Sequence, residues 1–409
     1  HENQELFAEM KLGKHPEGAH VLRAKIDMSS PNMLLRDPVM YRILYKTHHR
    51  TADRWCIYPL YDWTHGESDY IEQVSHSLCS LEFKPHRDLY DWFLEALSPL
   101  EKLPPKQREF ARMNLSYTVT SKRKLLELIE ERIVNDWDDP RLPTIAGLRR
   151  RGYTPTSLRN FVDTAGVAKR DNIIDMSLLE FSVREDLNIT APRVMAVLDP
   201  IKLTISNYPE GKEELLEGEI NPEQLELGSR TIPFSKHLLI EREDFKEEAN
   251  RKFFRLTLDK EVRLKNGYII KGESVVKNDL GMITEIICSY DPDSKSGSGT
   301  EASMRKVKGT LHWVSEAHAL PAEVRLYDRL FQVEAPDQDK EVDFKTHVNP
   351  NSLSIINAFV EPSLKTAKAF ENFQFQRLGY FVVDPDTTEH KLIFNKTVGL
   401  RDTWSKQNQ

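Results

Sequence analysis

Apolar positions along the chain fall into two regimes. Up to about residue 190 they recur mostly at helical spacing, and beyond it they alternate in short runs. His1–Lys14 reads as an amphipathic helix with Leu6, Phe7 and Met10 on one face. Arg87–Leu97 sets Leu89, Tyr90, Phe93, Leu94 and Leu97 on another. Leu125, Leu126, Ile129 and Ile133 keep the 3.6-residue period. Thr154-Pro155 reads as an N-cap followed by proline at the first helical position, with Gly166 placed to end that helix. Met176–Leu187 predicts a further helix, and Val39–Tyr45 and Trp55–Pro59 read as strands.

From Arg193 onward strands are expected over Val194–Ile205, Lys252–Leu258, Glu261–Ile270, Met282–Tyr290, Lys306–Val314 and Ala322–Phe331. Polar and glycine-rich turns separate them, notably Asp291–Thr300. Short strands at this spacing predict one or more β-barrels. The pattern therefore predicts an α/β part, a small helical part, and a β part of about half the chain.

Composition narrows the class. A chain of 409 residues predicts several domains and an ample core, and 39% hydrophobic with 30% charged residues describes a soluble protein. No apolar stretch approaches the ~20 residues of a membrane span, and no charged-then-apolar leader opens the chain, so a cytoplasmic location is expected. Cys56, Cys79 and Cys288 are odd in number and form no Cys-x-x-Cys pair. That argues against structural zinc and against a disulfide framework. The net charge of −7 does not advertise nucleic-acid binding, but local patches stand at Lys122–Lys124, Arg149–Arg151, Lys169–Arg170 and Arg251–Lys265.

Three segments carry candidate chemistry. Ser121-Lys122-Arg123-Lys124 follows a half-apolar, strand-like run, and a lysine held between strand and helix can reach nucleotide phosphates; alone, it reads as a charged surface turn. Tyr61 offers a hydroxyl that both donates and accepts, which suits a neutral carboxamide. Phe373-Gln374-Phe375-Gln376-Arg377 alternates, so Gln374 and Gln376 share a face, with side chains suited to reading unstacked base edges.

Cys56–His65 (Cys-Ile-Tyr-Pro-Leu-Tyr-Asp-Trp-Thr-His), Ser121-Lys122, Trp137–Leu148 followed by Arg149–Tyr153, and Gly399-Leu400-Arg401-Asp402-Thr403-Trp404 together resemble the glutaminyl-tRNA synthetases, class I ligases related to the glutamyl enzymes. The resemblance runs over essentially the whole chain. It implies a multidomain α/β plus all-β fold: the remainder of an acceptor-end domain (1–55), the C-terminal half of a Rossmann-type catalytic domain (56–122), a helical stem-contact domain (123–190), and two interwoven anticodon-binding β-barrels (191–409). It implies ATP-dependent ligation of L-glutamine to tRNA(Gln), with ATP and Mg2+ as substrate rather than resident cofactor, and a monomer. A glutamyl-tRNA synthetase and a non-catalytic, synthetase-derived tRNA-binding protein are the alternatives.

The resemblance also assigns residues. Thr120-Ser121-Lys122 matches the second class I signature loop, with Thr120 where Met is usual, and makes Lys122 and Ser121 catalytic. Ser80, Arg112 and Met113 join them at ATP. Tyr61, His65, Gln107 and Cys79 are implied around glutamine. Lys169, Arg170 and Asn172 match a stem-touching segment, and Arg193, Arg255, Arg263, Lys265, Gln374 and Arg377 match anticodon contacts. The first signature, His-Ile-Gly-His, is absent from this sequence, and the resemblance places that half of the nucleotide fold ahead of it. Pro85 stands where bacterial relatives often have the Asp that reads the acceptor stem.

Overall fold

A computed structural model describes residues 1–97 and 103–401. Asp402, Thr403 and Trp404 of the C-terminal motif lie outside the described residues. The chain divides into two compact units, His1–Met113 with Gly166–Asn172, and Asn114–Ala165 with Ile173 onward.

In the first unit a helix, Glu2–Lys11, buries Met10 in a cluster with Ile43 and Ile57. A three-stranded antiparallel sheet follows, formed by Val21–Arg23, Val39–Ile43 and Ile57–Pro59. The second layer is a crossover: strand His76–Ser80, helix Arg87–Leu97, then strand Lys106–Phe110 parallel to the first. Parallel neighbours need such a helical crossover. Helix Arg87–Leu97 buries Leu89, Tyr90, Phe93 and Leu94, as its periodicity requires, but Leu97 is half exposed.

The second unit joins short helices to two barrels. Thr154 caps Pro155–Ala165 as expected, accepting from the Ser157 N–H at 3.0 Å, and Gly166 follows with φ +71°. Helix Lys122–Glu130 departs from expectation. It buries Leu125 and Leu128 and leaves Leu126 exposed, and Ile133 lies beyond its end.

The first barrel is a seven-stranded sheet, in spatial order Thr310–Leu311, Glu261–Leu264, Ile269–Lys277, Ile283–Tyr290, Pro200–Ile205, His237–Glu241 and Val314–Ser315. Its two edge strands are separated in sequence only by His312-Trp313, which draws the two edges together and makes the sheet barrel-like. The second barrel repeats the device: Arg193–Val194, Asn372–Phe375, Gly379–Val383, Leu392–Val398, Leu320–Tyr327, Leu353–Val360 and Ala196–Val197. Here only Met195 separates the edges. Since the second barrel takes one segment before the first barrel and the rest after it, the two are interwoven.

Closure explains where the strand expectations failed. The single strand expected over Val194–Ile205 is three. Buried carboxylates take the N–H groups left over at the breaks: Glu361 accepts from Met195, and Glu241 from Leu198 and Asp199. Lys306–Val314 likewise breaks at His312-Trp313, with Trp313 fully buried and its indole N–H on the Lys265 carbonyl at 2.9 Å. Glu261–Ile270 is two strands rather than one. Ala322–Phe331 is a strand only to Tyr327. Lys252–Leu258 is not a strand, making only isolated bridges from Leu256 to Phe245 and from Leu258 to Gly272. It crosses so close to Gly272 that a Cβ there would stand 2.5 Å from the Thr257 carbonyl oxygen. The cores are aromatic: Phe234, Tyr208, Tyr268 and Trp313 in the first barrel, and Phe375, Phe381 and Phe394 in the second, with Phe375 stacked on Phe381 at 4.2 Å.

Candidate functional site

In the first unit, helix Tyr61–Glu72 carries Tyr61 and His65 one turn apart. Their rings stack at 5.1 Å, and the Tyr61 hydroxyl lies 3.3 Å from His65 Nδ1. His65 Nε2 faces Asp69 at 3.3 Å, which fixes the imidazole from its other side. The Phe83 ring packs on Tyr61 at 4.7 Å, and its carbonyl accepts from the Gln107 amide at 3.0 Å. Tyr61, His65 and Gln107 therefore gather around Phe83, with Cys79 near enough that its thiolate form would oppose ionisation of Tyr61. Gln107 is only 3% exposed, and its amide also donates to Glu109 at 2.9 Å. It is a wall of this site rather than a free hand. Burial pushes the Tyr61 hydroxyl and the Cys79 thiol above their ordinary values, so both stay neutral near pH 7.

Ser80 ends strand His76–Ser80, the C-terminal strand end at which open α/β sheets bind ligands. Arg112 is exposed and pairs with Glu82 at 2.9 Å, and Met113 is half-buried. Lys169, Arg170 and Asn172 are all exposed. In the second unit Ser121 sits at the N-cap position of helix Lys122–Glu130 and makes no cap hydrogen bond with its side chain. Thr120 and Lys122 are exposed. Lys124 is turned inward to Asp337 at 3.2 Å and over the Phe344 ring, so it does not extend the basic loop.

Within the Arg149–Arg151 patch, Arg150 differs from its reading as part of a phosphate-contacting face. Arg150 is bound bidentate by the fully buried Asp384 at 3.0 Å and 3.0 Å, and again by Asp386 and Asp138. Four charged groups here fasten helix Ile145–Arg150 to the second barrel. The Trp137–Leu148 motif is a brace for the same helix. Asp139, 1% exposed, holds Arg141 through two bonds and accepts from the Asn135 and Arg141 N–H groups.

The expected anticodon residues divide into two groups. Arg193, Lys265, Gln374 and Arg377 line one cavity of about 340 Å³ between the two barrels, together with Gln376 and Asn266. The cavity is held by a relay: Gln374 donates to Tyr380 Oη at 2.9 Å, Tyr380 donates to Asn188 at 3.4 Å, and Asn188 accepts from Arg193 at 3.3 Å. Arg193 Nε and Asn266 Oδ1 are buried with no hydrogen-bond partner among the described residues, polar atoms left for something that enters. Arg377 adopts φ +69°, unusual for a side-chain-bearing residue. Asp244, which no sequence signal marked, holds its fork and also pairs with Arg255, whose Nε stands 3.2 Å away. Asp244 lies in sequence 133 residues from Arg377, so only the meeting of the barrels reveals it. Arg255 is thus beside the cavity without lining it.

Arg263 is not brought there. Its guanidinium donates to the carbonyls of Ser294 (3.0 Å), Ser303 (2.8 Å) and Arg305 (3.2 Å) within the first barrel. Burial and the neighbouring Arg305 push its pKa below the usual arginine range. It is a strut of that barrel.

A family model described as tRNA synthetases class I (E and Q), catalytic domain, matches residues 1–189, and two models of their anti-codon binding domain match 191–291 and 310–384. The glutamine--tRNA ligase of Rhodopirellula baltica is 57% identical over 405 residues, 99% of this chain and 67% of that protein. Those of Idiomarina loihiensis (54%) and Pseudoalteromonas atlantica (53%) each align with 72% of their own length. The chain belongs to the class I glutamyl/glutaminyl tRNA synthetase family. Within this synthetase the interbarrel cavity is lined entirely by stretches that the anticodon-binding models match, and Tyr61, His65, Cys79, Ser80, Gln107 and Lys122 fall in the stretch that the catalytic model matches. Among the described residues, no three metal-ligating side chains stand together and no helix is long and apolar enough to cross a membrane.

Proposed function

We propose that the protein is a glutamine--tRNA ligase, joining L-glutamine to tRNA(Gln) with ATP through a glutaminyl-adenylate. The observation that carries the reading is identity of 53–57% to named glutamine--tRNA ligases over 99% of the chain or more. The glutamyl alternative has no comparable support. Retention of Ser121-Lys122 and the Tyr61 cluster weighs against a purely tRNA-binding role.

In this reading the glutamine carboxylate attacks the α-phosphate of ATP and pyrophosphate leaves. Charge builds on the leaving oxygens, and Lys122, exposed at the first turn of its helix, supplies a stabilising positive charge. Ser121, with a side chain not engaged in capping, offers a hydroxyl beside it. Ser80, Arg112 and Met113 line ATP, whose Mg2+ arrives with the nucleotide. Tyr61 and His65 receive the glutamine side chain, Tyr61 as a neutral hydroxyl facing a neutral amide, with Gln107 and Cys79 behind them. Lys169, Arg170 and Asn172 meet the tRNA stem.

Arg193, Lys265, Gln374 and Arg377 read the anticodon in the interbarrel cavity, and Arg255 assists from its rim. The domains follow: 1–55 toward the acceptor end, 56–122 catalytic, 123–190 on the stem, 191–409 on the anticodon. A monomer in the cytoplasm is part of the same proposal. Charging of purified tRNA with radiolabelled glutamine or glutamate, measured on the full-length gene product, tests it. Preferential transfer of glutamate would overturn it.

A further inference from the structure

A second cavity, of about 350 Å³, lies between the helices of the second unit and the outside of the second barrel. It shares no lining residue with the interbarrel cavity. Its walls carry Arg151, Arg184, Arg329, Lys396 and Arg401, opposed by only Glu180 and Asp328. Arg141, also in the wall, is neutralised by Asp139. In a chain of net charge −7 this is a dense local concentration of positive charge.

Two of these cations are not accounted for by the fold. Lys396 projects from strand Leu392–Val398 into the cavity and makes no ion pair among the described residues. Burial and the nearby Arg151 push its pKa down. Arg151 makes only long contacts to the carbonyls of Pro140 (3.5 Å) and Tyr327 (3.4 Å), and its Nε is buried without a partner. Beside them Thr397, fully buried, leaves its hydroxyl oxygen without a partner among the described residues. A largely desolvated charge with no close ion pair, acted on only through space by Asp328 and Glu180, costs free energy that a methionine would not. Tyr327 and Tyr117 lie under the Arg151 and Arg329 guanidinium groups at 5.8 Å and 4.4 Å, which restricts both. The cavity is roughly ten times the ~30 Å³ share of one water, room for a polyatomic anion.

We propose that this cavity binds a phosphate group, with Lys396 and Arg151 as its principal contacts. The phosphate comes either from an RNA backbone lying over the cavity or from a free phosphate compound. An anion there would supply the missing partner of Lys396 and the missing acceptors of Arg151.

The experiment uses Lys396→Met and, as a variant outside the packed interior, Arg401→Ala. Thermal unfolding, binding of tRNA as a function of salt, and calorimetric binding of inorganic pyrophosphate are measured for each. Lys396→Met should unfold no lower than the parent chain. If the phosphate belongs to RNA, the slope of log affinity against log salt should fall by about one. If it is free, pyrophosphate binding should weaken at least tenfold. Either loss, seen in Lys396→Met and in weaker form in Arg401→Ala, supports the site. Unchanged salt slope together with unchanged pyrophosphate binding in both variants overturns it, as does a Lys396→Met chain markedly less stable than the parent.

Discussion

Asp244 accepts from both terminal nitrogens of Arg377, at 2.5 Å and 2.7 Å, although one belongs to the first barrel and the other to the second. The carboxylate is fully buried, while the arginine side chain remains 30% exposed toward the interbarrel cavity. His312 Nδ1 stands 3.1 Å from the same guanidinium, and its Nε2 faces Glu241 at 3.4 Å. The geometry fixes the plane of the Arg377 fork before anything enters.

Asp244→Asn should therefore weaken anticodon discrimination without removing any side chain from the cavity wall. The asparagine fills the same space but cannot accept from both guanidinium nitrogens. The expected loss is about 1–3 kcal/mol at the base that Arg377 reads, with smaller change at other positions. Binding of the variant to cognate tRNA and to tRNAs altered singly in the anticodon measures it. A uniform loss across all of them would show that the clamp serves barrel docking alone.

Arg193→Ala and Gln374→Ala should act as a pair, because both are fastened through Asn188 and Tyr380. Their combined effect should fall short of the sum of the single effects, as expected for members of one hydrogen-bond network. A double-mutant cycle on tRNA affinity checks it. Strict additivity would mean that the relay does not couple them. Arg263→Ala should behave differently, lowering the melting temperature of the barrel region while sparing base discrimination, since its guanidinium already holds three carbonyls of its own barrel.

Lys122→Ala in the full-length protein should slow glutamine activation by on the order of 10²–10³ while leaving tRNA affinity within a few-fold, because a charge on a leaving group acts mainly in the transition state. ATP–pyrophosphate exchange alongside tRNA binding separates the two. Near-normal exchange would make Lys122 a surface cation.

Acid should loosen the second unit through Asp384. Burial alone would raise that carboxyl, but Arg150, the Asp386 N–H and Asn395 more than offset it and hold it below the usual carboxylate range. The stability it contributes is present above the ordinary aspartate value of about 3.9 and is lost as pH falls through the lower, folded value. Asp384→Asn should flatten the pH dependence of unfolding in that acid window and lower stability at neutral pH. Unfolding by denaturant at a series of pH values reads both effects. An unchanged acid limb would exclude Asp384 as a source.

Gly147→Ala should destabilise the same region. A Cβ there would stand 2.5 Å from the Asp139 carbonyl oxygen and 2.8 Å from that of Leu142, both backbone atoms that cannot swing aside. A cost of about 1–3 kcal/mol follows, the scale of overpacking in a closed site. A melting temperature equal to that of the parent would show that the backbone relaxes.

Local signals determined a good part of this protein. The change of regime near residue 190, the Thr154-Pro155 helix start, the face of Arg87–Leu97 and the Ser121-Lys122 turn were legible in the sequence, because caps and periodicity act over a few residues. So was the family, through Cys56–His65 and Trp137–Leu148. Tertiary structure decided the rest. Strand boundaries moved at Met195 and Leu198-Asp199, where buried carboxylates took over the backbone N–H groups, and at His312-Trp313, where the chain passes from one edge of its sheet to the other with the Trp313 indole on the Lys265 carbonyl. It also decided which arginines are available. Arg150 stood in a basic patch and Arg263 and Arg377 both matched anticodon contacts in the sequence, yet one clamps a helix, one struts a barrel and one faces a cavity. An arginine's role depends on which acceptors close around it, and those acceptors, such as Asp384 and Asp244, lie 234 and 133 residues away along the chain.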